Sequence, residues 1–357
     1  MTDETEGKRP RAAIILAAAF VTLLAAAILV EFLSSELLLF RYRQIGQIDD
    51  GSLSSAVALV KRAGVKYGLI RNPVRFELKC SPSPCLEVDP VFGWTANPGV
   101  LTYSYGRLRS GIWETLPIKV TINPDQSRWT GAEASAGKPT IYILGDSFAF
   151  GIGVNDEQTF AYHLQAAKPD YNVKLFALGG YSLVHSYLRI EQLKSGISER
   201  DIILVGYADF YDVRSVVAPS RLRAIDEWLY DKQMQRIGSR IPKATLDGDR
   251  LSIELVEQDC GRIPDYCKSA DPRPEDMRHV SLRLIRGIAQ ASKARTYLLH
   301  LDGDRTNPVI RDAGVPVISA LPEDFGYFVR DDITGFDAHP GPYWHYAVAR
   351  KLIAEIK

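Results

Sequence analysis

The stretch PTIYILGDSFAFGIGV, residues 139–154, decides the fold of this chain. It joins an apolar, β-branched run to a glycine and then to Asp146 and Ser147, which indicates a buried strand that ends in a tight turn. Later in the chain, further short apolar runs alternate with amphipathic stretches. Strands that alternate with helices predict right-handed crossovers and therefore a parallel sheet with helices on both faces.

The same alternation predicts the domain organisation. Strands are expected at 173–180, 201–207, 294–303 and 315–320, and helices at 160–167, 183–193 and 344–356. We predict an α/β domain over residues 138–357, with an insertion at about 213–278 that contains the hairpin pattern TLDGDRLSIEL. Residues 33–137 are predicted to form a juxtamembrane helix and a small β-containing lead-in.

The composition excludes several classes of protein. Apolar residues make up 46% of the chain and charged residues 24%, as in ordinary globular proteins, which excludes disordered and collagen-like chains. Lys plus Arg and Asp plus Glu both number 43, so the chain has no cationic excess with which to bind a polyanion. We therefore expect no nucleic-acid partner.

The first forty residues carry a membrane signal. Residues 12–30 are uncharged and rich in Ala, Leu, Ile and Val, and a helix of this length spans about 28 Å, enough to cross a bilayer. We predict a transmembrane helix over 12–32 and a cytoplasmic N-terminus over 1–11, because Lys8, Arg9 and Arg11 precede the span. The alternative is a cleaved signal peptide, for which the small residues at 25–27 offer a processing site.

The four cysteines all follow this span and form two close pairs. Cys80 and Cys85 lie in CSPSPC, and Cys260 and Cys267 lie in CGRIPDYC. Neither spacing is that of a zinc site, and no nearby histidine completes a set of four ligands. We predict two local disulfides, with reduced, buried cysteines as the alternative. Because disulfides need an oxidising compartment, the C-terminal domain is expected outside the cytoplasm, either periplasmic or extracellular.

Candidate catalytic residues lie at both ends of the predicted domain. Ser147 stands at the carboxyl end of the first strand, where a nucleophile would be displayed, although a serine there also suits a helix N-cap. Asp337 and His339 precede the predicted terminal helix. Hydrolysis by a serine hydroxyl needs an imidazole to take its proton and a carboxylate to orient the imidazole. One acid next to one histidine supplies both groups.

The chain contains GDSFAFGIGVNDEQTF at 145–160, LGGYS at 178–182 and DAHPGPYWHYAVARKLIA at 337–354. These segments resemble the SGNH hydrolases, also called GDSL-like esterases, and in particular their membrane-anchored extracytoplasmic members. The resemblance covers about residues 138–357 and implies a three-layer α/β/α, flavodoxin-like parallel sheet. It implies the following roles: Ser147 as nucleophile, His339 as base, Asp337 as orienting acid, and the backbone N–H groups of Ser147 and Gly180 as oxyanion donors.

The chain departs from the family pattern at two positions. The family's Gly-x-Asn-Asp block is matched by GYAD at 206–209, so Ala208 replaces the Asn whose side chain is an oxyanion donor. Loss of one such donor typically costs about 3 to 4 kcal/mol of transition-state stabilisation. Three nearby residues are candidates for an auxiliary role: Asp209, Tyr211 and Arg214. In the second departure, Asp337 stands two residues before His339, whereas the family's acid commonly stands three before.

The resemblance and the predicted topology together imply a serine esterase or O-acyltransferase. Its expected substrate is an O-acylated, in particular acetylated, extracytoplasmic polysaccharide or cell-wall glycan. Hydrolysis and transfer share an acyl-enzyme and differ in whether water or a sugar hydroxyl intercepts it. One alternative is a lipid or lysophospholipid esterase. Another is a non-catalytic glycan-binding or assembly protein, and the replacement of the family's Asn by Ala208 favours this one. The sequence contains no dinucleotide fingerprint, phosphate-binding loop or metal-binding pattern, so no cofactor and no metal are expected.

Overall fold

The structure, a computed structural model, describes residues 75–109, 112–224, 240–325 and 339–356. Its strands are, in chain order, β1 (Arg75–Ser81), β2 (Leu86–Asp89), β3 (Gly93–Ala96), β4 (Gly99–Arg109), β5 (Ile112–Ile122), β6 (Thr140–Gly145), β7 (Asn172–Ala177), β8 (Ile202–Ala208), β9 (Ile241–Asp247), β10 (Arg250–Val256), β11 (Arg295–Asp302) and β12 (Val317–Ser319). Its α-helices are α1 (Ser147–Phe150), α2 (Phe160–Ala167), α3 (Leu183–Leu193), α4 (Tyr211–Ser215), α5 (Pro219–Arg223), α6 (Pro264–Lys268), α7 (Pro274–Gln290), α8 (Pro308–Asp312) and α9 (Pro342–Glu355).

Several predicted features lie outside the described residues. These are the cytoplasmic N-terminus at 1–11, the transmembrane helix at 12–32 and the first part of the segment at 33–137. Asp337 also lies outside them. Within the described ranges, no helix combines the length and the apolar character that crossing a bilayer requires.

The predicted parallel sheet is confirmed. Strands β12, β11, β8, β6 and β7 lie side by side in that order, and every neighbouring pair is parallel. The central register pairs Leu144 of β6 with Val205 of β8 on one side and with Phe176 of β7 on the other. Numbered along the chain, the five strands have the order 2-1-3-4-5, which is the flavodoxin-like arrangement.

Helices cover both faces of the sheet, because successive residues of a strand point to opposite faces. Ile143 and Leu204 belong to one hydrophobic cluster with residues of α2 and α9, whereas their neighbours Leu144 and Val205 belong to another with residues of α3 and α7. The buried residues of α7 recur every three or four positions, which gives this helix an apolar stripe for the sheet. The arrangement is a three-layer α/β/α domain.

The strands of the lead-in share a core with this domain. Strands β1, β4 and β5 form an antiparallel sheet, and β2 pairs with β3 in a hairpin. Trp94 of β3, Leu101 of β4 and Ile118 of β5 belong to the same hydrophobic cluster as Ile143. The backbone of Arg128 bridges β5 to Leu175 of β7. The lead-in therefore packs directly on the elements that carry the candidate site.

The connection from β8 to α7 carries the predicted insertion. It contains α4, α5, the antiparallel hairpin β9–β10 and α6, and the hairpin predicted from TLDGDRLSIEL is confirmed. Helix α7 begins at Pro274. Proline suits the first turn of a helix, because the N–H that it lacks would be unpaired there anyway. Residues 274–278, predicted as the end of the insertion, therefore belong to a helix that packs on the sheet.

Both predicted disulfides are present in the structure. Cys80, in β1, is joined to Cys85, which directly precedes β2. Cys260, which follows β10, is joined to Cys267 of α6. Each bond closes a short loop.

A buried carboxylate at the start of α4 makes stability depend on pH. Asp212 Oδ1 accepts hydrogen bonds from Ser281 Oγ at 2.6 Å and from Tyr207 Oη at 3.1 Å. Burial, opposed by these hydrogen bonds, raises the pKa of Asp212 to about 6. The folded protein therefore keeps a proton that the unfolded chain releases near pH 4.

This shift predicts a loss of stability as the pH rises from about 4 to about 6. The pKa of Asp212 is higher in the folded protein than in the unfolded chain. Its stabilising contribution is therefore complete below the pKa of the unfolded chain and is lost as the pH rises through the pKa of the folded protein. The total loss is about 3 kcal/mol at most. Asp212→Asn keeps an acceptor for both hydroxyls and should flatten this dependence, as urea unfolding between pH 4 and 7 would reveal. Asp170→Asn, at an exposed position, is the control and should keep the pH dependence of the parent chain. An unchanged slope in Asp212→Asn would contradict the assignment.

Candidate active site

The candidate site lies where the strand order of the parallel sheet reverses. From β6 the chain crosses to β7 on one side, and it then returns to β8 on the other side. In such sheets the crevice beyond the carboxyl ends of the strands at this reversal is the usual binding site. Ser147 follows β6 after one intervening residue, Asp146, and Ala208 ends β8. The sheet therefore brings the predicted nucleophile and the substituted Asn position to one edge.

Ser147 is the first residue of α1, a short helix capped by its neighbour. Asp146 is the N-cap, since its Oδ1 accepts a hydrogen bond from the backbone N–H of Phe148 at 3.0 Å. The alternative interpretation of Ser147 as the N-cap is therefore wrong. Gly145 allows the sharp entry into this helix, because a Cβ atom there would lie 2.6 Å from the Cβ atom of Ala149. Ser147 is 4% exposed, and its Oγ donates to Asp146 Oδ2 at 3.3 Å.

Arg214 forms a buried ion pair with Asp146. Its Nη1 lies 3.1 Å from Asp146 Oδ2 and also donates to the carbonyl oxygen of Tyr181 at 3.4 Å, while its guanidinium stacks over the ring of Phe210. The side chains of Arg214 and Asp146 are 6% and 0% exposed. Arg214, a predicted auxiliary residue, thus contacts the carboxylate that holds the Ser147 hydroxyl. Sequence reasoning missed the role of Asp146.

Tyr211, another predicted auxiliary residue, is buried beside the same carboxylate. Burial and the charge of Asp146 raise the pKa of Tyr211 well above its usual value. Its hydroxyl therefore stays protonated at any physiological pH. Tyr211 has no capacity to act as a general base there.

His339 lies next to the turn that carries Ser147. Its ring is 5.4 Å from the ring of Phe148, the residue directly after Ser147, in an edge-to-face contact. His339 is buried and precedes α9. His345, within α9, is buried against Phe160, whose backbone N–H donates to His345 Nδ1 at 3.3 Å. Burial lowers the pKa of His345 well below its usual value, so this second histidine is a neutral packing residue.

Gly180 lies in the loop between β7 and α3. Its φ angle of +83° lies in the left-handed region, which favours glycine at this position. Trp94 Nε1 of the lead-in donates to the carbonyl oxygen of Gly179 at 3.3 Å. The lead-in thus contacts the loop that carries the predicted oxyanion donor.

Ala208 and Asp209 differ in what they offer the site. Ala208 is buried and carries only a methyl group, so it supplies no side-chain donor. The carboxylate of Asp209 accepts hydrogen bonds from the backbone N–H of Asp304 at 2.9 Å and from Asn307 Nδ2 at 2.7 Å. The Asp209 carboxylate therefore holds the loop after β11 in place, which is a structural role.

Arg128 of the lead-in holds the turn that follows α1. Its Nε pairs with Asp156 Oδ1 at 2.9 Å, and its terminal nitrogens donate to the carbonyl oxygens of Phe150, Gly151 and Val154. Its side chain is fully buried. Sequence reasoning missed Arg128, because a lone arginine in a loop has no local signal that separates it from a surface cation. Among the described residues, no group of His, Cys, Asp or Glu side chains could hold a metal ion.

No family model matches the chain, and no curated protein matches it. Solved structures similar to it include a lipolytic protein of the G-D-S-L family from Veillonella parvula, with 12% identity, 61% of this chain and 97% of that chain covered, and a TM-score of 0.35. A psychrotrophic esterase from Pseudoalteromonas has 12% identity, the same coverage of both chains and a TM-score of 0.34. A catalytic mutant of an acetylxylan esterase from Geobacillus stearothermophilus has 12% identity, coverage of 63% and 96%, and a TM-score of 0.33.

Because these TM-scores and identities are low, the function depends on the evidence from the residues of the site. The three solved structures are described as a lipolytic protein of the G-D-S-L family, a psychrotrophic esterase and an acetylxylan esterase.

Proposed function

We propose that the chain is a serine esterase or O-acyltransferase in which Ser147 is the nucleophile and His339 the base. The observation that carries the proposal is the contact between the rings of His339 and Phe148, which places the imidazole of His339 against the residue that directly follows Ser147. Ser147 lies at the edge of the sheet where strand order reverses. Nucleophile and base from distant segments that meet in this crevice are the arrangement that acyl transfer needs.

In the proposed mechanism, the Ser147 hydroxyl turns from Asp146 towards His339, which takes its proton as the oxygen attacks the acyl carbon. The Arg214 guanidinium shares the Asp146 carboxylate and so weakens its hold on that hydroxyl. The backbone N–H groups of Ser147 and Gly180 stabilise the oxyanion. Collapse expels the alcohol, which receives the proton from His339, and leaves an acyl-enzyme. Water or a sugar hydroxyl then gives its proton to His339 and attacks the acyl carbon. The bond from the acyl carbon to the Ser147 oxygen breaks, and this oxygen takes the proton back from His339, whose imidazole Asp337 orients.

The proposed substrate is an O-acylated, in particular acetylated, polysaccharide or cell-wall glycan outside the cytoplasmic membrane. Two disulfides support an oxidising compartment, and the uncharged run at 12–30 supports an anchor. A C-terminal alkaline phosphatase fusion should be active in intact cells. An inactive phosphatase fusion together with an active cytoplasmic reporter would overturn this location.

A fluorophosphonate probe tests the serine chemistry, because it labels only an activated serine. The purified full chain should be labelled at Ser147, as mapped by peptide mass spectrometry, and Ser147→Ala should not be labelled. Ser186→Ala is a matched control, since Ser186 is also buried and its hydroxyl has no hydrogen-bond partner among the described residues. This control should be labelled at the rate of the parent chain.

The absence of a side-chain donor at Ala208 favours a second candidate function, a non-catalytic glycan-binding or assembly protein on the same fold. A parent chain that binds acetylated glycan but resists the probe would support this candidate. Labelling of Ser147 together with release of acetate would exclude it.

A further inference from the structure

The β2–β3 hairpin of the lead-in holds the loop after β7 through one fully buried side chain. Trp94 Nε1 donates to the carbonyl oxygen of Gly179 at 3.3 Å. In return, the carbonyl oxygen of Trp94 accepts a hydrogen bond from Tyr181 Oη at 2.7 Å. These two bonds lie on either side of Gly180.

The first of these bonds determines the direction of the Gly180 N–H. The carbonyl of Gly179 and the N–H of Gly180 belong to one peptide unit, and in a trans peptide they point in opposite directions. Because the indole of Trp94 holds the Gly179 oxygen, the Gly180 N–H points away from the hairpin. The peptide between Gly179 and Gly180 can rotate easily, since neither of these two residues has a Cβ atom that restricts it.

Aromatic packing keeps Trp94 in place. The rings of Tyr181 and His185 stack with their centroids 4.0 Å apart, and the Trp94 ring lies 5.6 Å from the former and 5.3 Å from the latter. His185 Nδ1 accepts a hydrogen bond from the backbone N–H of Ser182 at 3.0 Å. The burial of His185 lowers its pKa to about 3, so the cluster stays uncharged at physiological pH.

We propose that Trp94 is a positioning residue for catalysis: its indole N–H fixes the Gly179–Gly180 peptide so that the Gly180 N–H faces the developing oxyanion. The inference rests on the proposed function, in which Gly180 is an oxyanion donor. Without the indole N–H, the peptide can rotate and turn its carbonyl oxygen towards the oxyanion, which destabilises the transition state. Ground-state binding of the ester does not depend on this donor, so kcat falls and KM does not.

The test compares Trp94→Phe with Trp344→Phe in the full chain. Both tryptophans are fully buried, and Trp344 Nε1 donates to the carbonyl oxygen of Ala320 at 3.0 Å, so each variant loses one buried indole hydrogen bond. With p-nitrophenyl acetate, Trp94→Phe should lower kcat at least about tenfold, towards the 10²- to 10³-fold loss of a deleted donor, while KM stays within about twofold. Its rate of fluorophosphonate labelling should fall in parallel. Trp344→Phe should show a similar loss of thermal stability with kcat within about twofold of the parent.

Each outcome decides the inference. A parent chain that is labelled and active, with equal kcat in the two variants, would overturn the role of Trp94 and leave the proposed function standing. A parent chain that is neither labelled nor active would overturn the proposed function and the inference with it. If Trp94→Phe does not fold, 3-benzothienylalanine at position 94 keeps the fused ring shape and replaces the N–H by a sulfur atom, which cannot donate. The same loss of kcat is then expected, and an unchanged kcat overturns the inference.

Discussion

Replacing Ser147 or His339 by alanine is expected to lower kcat for acyl-ester hydrolysis by about 10⁴-fold or more. The double variant should lose little beyond either single variant, because a nucleophile and its base act as one unit. The measurement is the initial rate with p-nitrophenyl acetate for the parent and the three variants. Circular dichroism should show that all four chains remain folded.

Two further variants separate the catalytic pair from its neighbours. His163→Ala changes a half-buried histidine of α2 and should leave kcat within about twofold of the parent. Asp337→Asn should lower activity less than His339→Ala, because a backbone carbonyl can also orient the imidazole. If Ser147→Ala hydrolysed the ester at the rate of the parent chain, the serine mechanism would be excluded and the binding function would be favoured.

Arg214→Met is expected to destabilise the folded protein by about 3 to 5 kcal/mol, because it leaves the buried Asp146 carboxylate without its cation. Adding Asp146→Asn should recover a large part of this loss. The asparagine side chain can still cap α1 by accepting from the Phe148 N–H, and it carries no charge. Urea unfolding of the two single variants and the double variant gives the coupling free energy.

An exposed ion pair provides the control for this cycle. Arg311 and Asp312 are paired at 2.8 Å with side chains 69% and 41% exposed, so Arg311→Met should change the free energy of unfolding by less than about 1 kcal/mol. A loss in Arg214→Met no larger than that in Arg311→Met would contradict a structural role for the buried pair. Absence of any recovery in the double variant would contradict the capping argument.

The sequence determined the class of the fold and the position of the turn that carries Ser147. Apolar periodicity is a local property, so the predicted helices at 160–167 and 183–193 coincide with α2 and α3. The alternation of strands with helices predicted the parallel sheet for the same reason. The short spacing of the cysteines predicted which of them pair, and both disulfides are present. Each of these features depends on residues that are close together along the chain.

Tertiary structure decided which partners surround Ser147. Asp146 and Ser147 are both good N-cap residues, and only the backbone geometry of the turn shows that Asp146 is the cap. Arg214 meets Asp146, and Trp94 meets Gly179, across long separations in the chain. Neither pair leaves a pattern in the sequence, because a hydrogen bond or ion pair between distant residues has no fixed spacing. These contacts exist only once the sheet has brought the loops at its carboxyl edge together and the lead-in has packed against them.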